Sequence, residues 1–200
     1  MAQRGFTLIE LLVAMAVLAL LGALAFRGLD SVLDAEARLQ GESRRWNDVS
    51  LLFSQLSEDL TMAVERTSRD GADRTSPALR LRTAPGESAT GDDAQLVVTR
   101  LGIGEGAAAQ SAPRRVGYRL REGTLEYLVW PAPDSAPETE PVAYAVLENV
   151  ADVRLQALDF EGRWADDWPG ARPVSALPRA VTMRIVLPGG DTITRIVALK

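Results

Sequence analysis

Residues 6–26 read FTLIELLVAMAVLALLGALAF, and the interpretation of the chain turns on them. Only Thr7 and Glu10 are polar in this run. Twenty-one residues at about 1.5 Å each span roughly 30 Å, the thickness of a bilayer core. Arg4 lies before the run, and Arg27 and Asp30 follow it. A core helix apolar on every side suits a chain this small poorly. A removable secretory signal is a second reading, since Ala23-Leu24-Ala25 resembles a small-residue cleavage site. Glu10 interrupts the apolar region that such a signal needs. The third reading is a retained membrane helix in which Glu10 has a purpose, because an ionised side chain in a bilayer is costly unless it is paired or shallow.

The rest of the composition removes most catalytic chemistry. There is no Cys and no His, so disulfides, thiolate sites, Ser-His-Asp triads and nearly all zinc or haem ligation are excluded. The 22 basic residues against 27 acidic ones give a net charge of −5, which does not suggest a nucleic-acid binder. The only Lys is Lys200, so a Ser–Lys dyad has no natural place. Gly102, Gly104 and Gly106 brush against a phosphate loop, but no helix-forming run with the required third glycine follows. Asp92-Asp93 and Asp166-Asp167 lack the dense oxygen spacing of a calcium loop and read as solvated turns. No metal and no cofactor are expected.

The ten residues Gly5-Phe6-Thr7-Leu8-Ile9-Glu10-Leu11-Leu12-Val13-Ala14 resemble the class III signal of type IV pilins and type II secretion pseudopilins. The resemblance implies cleavage by a prepilin peptidase between Gly5 and Phe6, and N-methylation of the new Phe6 terminus. It makes Glu10 the assembly residue, pairing with the terminal amine of a neighbouring subunit. It places the N-terminus in the cytoplasm and the remainder outside the inner membrane of a bacterium. The local charge bias does not set that orientation, because Arg27 and Arg38 offset Arg4.

Beyond the apolar run, Trp46, Val49, Phe53, Leu56, Leu60 and Ala63 step by three and four, which is one helical stripe. Asp48, Ser50, Gln55, Glu58 and Asp59 suit a wetter face. No Pro precedes Pro77, so one helix from Phe6 to about Arg66 is expected, with Gly28 and Gly41 as points where it bends. The Val49–Leu60 part of the stripe is expected to cover the protein's own sheet. From Ser68 the pattern changes. Leu79–Thr83, Gln95–Leu101, Val116–Arg121, Leu125–Trp130, Val153–Phe160, Ala180–Leu187 and Thr192–Leu199 read as strands. Glu122-Gly123 and Pro188-Gly189-Gly190-Asp191 read as hairpin turns. Residues 102–113 and 131–141 read as polar loops.

These elements make an α+β chain of pilin-like design: a long N-terminal helix, transmembrane then amphipathic, packed on a C-terminal antiparallel β-sheet domain. The expected divisions are a leader at 1–5, a membrane segment at 6–26, an amphipathic periplasmic helix at 27–67 and a β-rich periplasmic domain at 68–200. One distal segment adds specificity. Asp159-Phe160-Glu161-Gly162-Arg163-Trp164-Ala165-Asp166-Asp167-Trp168-Pro169, followed by Leu177-Pro178-Arg179-Ala180-Val181, resembles the C-terminal part of J-type minor pseudopilins of type II secretion. That resemblance implies a tip complex with I-type and K-type minor pseudopilins, together with H-type and major G-type pseudopilins, supporting protein export across the outer membrane. The rival reading is a minor pilin of a type IV pilus or DNA-uptake machine, which shares every N-terminal feature. Trp46, Phe53, Trp164 and Trp168 are possible partner or core contacts.

Overall fold

The computed structural model describes residues 8–70, 74–82, 93–102, 112–134 and 139–199. The chain divides into two units, Met1–Asn47 and Asp48–Lys200. A single helix, α1, runs over Leu8–Thr61. Its first half is rich in Leu and Ala, the strongest helix formers, and it contains no Pro. It stays helical through Gly28 and Gly41. In the first unit the apolar side chains of α1 are exposed on every side, from Leu8 and Ile9 to Leu24 and Phe26.

The helix stops at Thr61, not at Arg66 or 67 as its stripe suggests. There the backbone turns into sheet pairing. Ala63 forms an antiparallel bridge with Arg100. The Val64 N–H donates to the Thr99 carbonyl at 3.0 Å, and the Leu101 N–H donates to the Met62 carbonyl at 3.0 Å. Strand partners thus take over the groups that another helical turn would have used.

The second unit is built on two antiparallel sheets. In chain order its strands are β1 (Ser68–Asp70), β2 (Arg74–Ser76), β3 (Leu79–Arg82), β4 (Leu96–Leu101), β5 (Pro113–Arg121), β6 (Thr124–Val129) and β7 (Val142–Leu147), then β8 (Asp152–Leu158), β9 (Trp164–Ala165), β10 (Asp167–Trp168), β11 (Ala180–Val186) and β12 (Thr192–Ala198). One sheet has the order β10-β3-β4-β5-β6-β7 and the other β12-β11-β8-β9. β1 and β2 form a small antiparallel pair of their own. All seven expected strands are present, with ends shifted by a few residues. The β5–β6 hairpin turns through Glu122 and Gly123, at φ of 49° and 77°. These are the two left-handed positions of a tight hairpin turn.

Alternation decides the core. Val153, Leu155 and Ala157 of β8, and Val181, Met183 and Ile185 of β11, point inward. They join Leu79, Leu81, Leu96, Val98, Val116 and Tyr118 of the larger sheet. Val49, Leu52, Phe53, Leu56 and Leu60 of α1 complete this cluster. The stripe does cover the protein's own sheet. Burying Leu56 or Leu60 fully stabilises the fold by about 1.5–3 kcal/mol relative to exposure. The opposite face of the larger sheet carries a second, smaller cluster of Ala94, Val97, Leu128 and Trp130.

Candidate functional site: an exposed apolar helix and a distal loop

Gly5 and Phe6 lie outside the described residues. Glu10 stands in the first turn of α1. The stretch Leu8–Asp30, 23 residues long, is apolar enough and long enough to cross a membrane, and its most apolar window buries nothing within the chain. A rod of this kind is stable only where lipid or other apolar helices cover it.

The four aromatic candidates separate into two kinds. Phe53 belongs to the core, and Trp168 is completely buried. Trp46 and Trp164 are exposed, at 55% and 41%. The distal segment owes its shape to Asp159, which sits where β8 ends. Its Oδ1 accepts the backbone N–H of Glu161 at 3.0 Å and of Arg163 at 2.7 Å. Its Oδ2 accepts from Arg163 Nε at 3.1 Å and from Arg172 Nη2 at 2.8 Å. The backbone N–H of Arg163, then these guanidinium contacts, hold the Asp159 carboxyl below the usual carboxylate range. The chain then gives β9 to the smaller sheet and β10 to the larger one. Trp168 seals this crossing: its Nε1 donates to the Ala176 carbonyl at 2.9 Å, and Arg172 stacks 4.7 Å from the ring centre. Of the paired acids, Asp93 binds Arg119 at 2.6 Å, and Asp166 accepts from Gln156 at 2.8 Å.

Sequence reasoning missed a buried charge network at the end of α1. Asp59 reads as part of a wet face, yet it is fully buried. Its Oδ2 accepts from Tyr118 Oη at 2.6 Å. Its Oδ1 accepts from Arg100 Nη1, from Gln55 Nε2 at 3.0 Å and from Tyr127 Oη at 3.4 Å. Arg100 Nη2 reaches Glu58 at 2.9 Å. Burial pushes the Asp59 carboxyl up, while Tyr118 and Arg100 pull it down. Burial works against the Arg100 charge, but Asp59 and Glu58 hold it above its ordinary value. Burial and the adjacent Asp59 raise both Tyr118 and Tyr127. The signal in the sequence was Arg100 alone in a β4 run that is otherwise ready for burial; a buried arginine requires an acid somewhere.

Comparison with known proteins gives this geometry its context. Residues 27–199 match the family model described as type II secretion system, protein J. The chain belongs to the type II secretion system protein J family. Residues 1–26 of this J-type chain match the prokaryotic N-terminal methylation motif. It is 32% identical to the type II secretion system protein J of Klebsiella pneumoniae, over 98% of this chain and 95% of the relative. It is 31% identical to the Escherichia coli protein of that name, over 99% and 96%. A chain in the crystal structure of the GspK–GspI–GspJ complex from the enterotoxigenic E. coli type 2 secretion system superposes with a TM-score of 0.62. That chain is 28% identical, and the likeness covers 78% of this chain and 97% of that one. The J-type chain is therefore a minor pseudopilin of the secretion machinery, a structural subunit with a membrane-anchoring helix.

Proposed function

We propose that this J-type subunit joins I-type and K-type minor pseudopilins in the complex that forms the pseudopilus tip and starts its assembly. H-type and G-type pseudopilins then extend the fibre beneath it. A relative's structure is a complex of GspK, GspI and GspJ, which supports the first two partners. The observation that carries the reading is the apolar Leu8–Phe26 surface, uncovered on every side and bearing Glu10 in its first turn.

The mechanism is positional. Prepilin peptidase cuts between Gly5 and Phe6, leaving an ammonium at Phe6, which is then methylated. Gly5 has no side chain to block the protease's approach to the backbone. Glu10 of one subunit neutralises the Phe6 amine of the next in low dielectric, where breaking a buried pair costs about 3–5 kcal/mol. The same pairing sets the axial offset between subunits. Lipid holds the helix in the inner membrane, N-terminus in the cytoplasm, with the β-rich unit in the periplasm. Extraction into a helical bundle replaces lipid contact by subunit contact. No step asks this chain for catalysis.

Intact mass of the membrane-extracted protein tests the reading. A mature chain that starts at methylated Phe6 and co-purifies with I-type and K-type subunits is expected. A start at Phe26, or retention of Met1–Gly5 in working fibres, overturns it.

A further inference from the structure

The outer face of the four-stranded sheet brings two arginines together in register. Arg154 on β8 lies directly opposite Arg184 on β11 in the antiparallel register. Cross-strand partners point to the same face with their Cβ atoms about 5 Å apart, and like charges so placed repel. The next pair along that face is Gln156 and Thr182. These four residues and Asp166 line a cleft of about 230 Å³. Asp152 accepts from Arg154 Nε at 3.1 Å, and Asp166 accepts from Gln156. Among the described residues no carboxylate answers the Arg184 guanidinium.

Two exposed apolar side chains share this face of the sheet. Ile196 on β12 is the cross-strand partner of Thr182 and is 60% exposed. Trp164 on β9 is the partner of Leu158, two residues beyond Gln156 on β8, and so faces the same way. A hydrated inorganic anion gains nothing from an exposed Trp and Ile. A protein surface that presents a carboxylate between apolar side chains gains from both, and Trp and Arg are the residues that anchor such contacts. The guanidinium fork also matches a carboxylate in two-point geometry.

We propose that this cleft receives an Asp or Glu side chain of a partner subunit, with the carboxylate between Arg154 and Arg184 and the partner's apolar neighbours against Trp164 and Ile196. The inference rests on the assembly proposed above and names the chemistry of one contact within it.

A photo-crosslinking residue placed at Thr194, the cross-strand partner of Arg184, tests this in the full-length chain within the assembled system. The expected result is an adduct whose mapped peptide contains Asp or Glu. Its yield falls at least fivefold in Arg184→Glu and less in Arg184→Lys. It returns when the mapped acid is changed to Lys in the Arg184→Glu background. Unaltered thermal melting of both variants shows that the fold is intact. An adduct to lipid, an adduct without a nearby acid, a yield indifferent to charge at 184, or no rescue overturns the proposal. If the subunits assemble and no adduct forms, the cleft proposal fails while the assembly reading stands; if they do not assemble, both fail.

Discussion

Tyr118 in the middle of β5 donates its hydroxyl hydrogen to Asp59 near the end of α1, across 2.6 Å and from a fully buried position. Arg100 of β4 and Tyr127 of β6 reach the same carboxylate. Three adjacent strands are thus tied to one helix residue.

Removing Asp59 leaves Arg100 buried beside Glu58 alone. Asp59→Ala should cost about 3–5 kcal/mol, the usual penalty for an orphaned buried charge. Asp59→Ala combined with Arg100→Ala should lose less than the sum of the two single changes. Urea denaturation of the full chain in detergent measures both.

The tyrosines give an alkaline signature. Their pKa values are raised in the folded state. The stability they contribute is therefore complete below the unfolded value of about 10 and is lost as pH rises through the folded values. The denaturation midpoint should hold between pH 8 and 9.5 and fall above about pH 10, and Tyr127→Phe should flatten that fall.

Gly117 is held by space. A Cβ there would lie 2.7 Å from the Leu96 carbonyl oxygen and 3.2 Å from the Trp130 ring. Backbone cannot yield as a flexible side chain does. Gly117→Ala should destabilise by about 1–3 kcal/mol, read as a lower denaturation midpoint, and should change the near-ultraviolet dichroism of Trp130.

The two distal tryptophans should behave oppositely. Trp168→Ala empties a fully buried site and should cost about 3–5 kcal/mol. Trp164→Ala, at an exposed position, should change stability by no more than about 0.5 kcal/mol. Equal losses in thermal melts would contradict a buried Trp168 and an exposed Trp164.

Glu10→Ala should weaken crosslinking to other pseudopilins while leaving the melting of the β-rich unit unchanged. Crosslinking yield beside a thermal melt checks it, and unaltered crosslinking counts against the assembly role.

Most of the fold was legible because its strands alternate. Val153, Leu155 and Ala157 declare an inward face, and Val181, Met183 and Ile185 declare another. β7 was not legible: Val142 to Ala145 are exposed on both faces at a sheet edge, so burial imposes no alternation there. β9 and β10 are two residues each, too short for any period to register. The helix end was overrun because Leu60 to Ala63 continues the stripe while the backbone has already changed partners. At the N-terminus the motif itself carries Gly5, Phe6 and Glu10. Asp59 was hidden because its partners lie 41 and 59 residues away, and helical periodicity sees only neighbours. The Arg154–Arg184 pairing was hidden likewise, since it exists only once β8 and β11 are in register.

The last turns of α1 are fastened to β4, β5 and β6 through the Asp59 carboxylate. A load on the last turns of α1 would therefore fall on three interior strands side by side rather than on one. An outer strand taken alone would unzip one rung at a time.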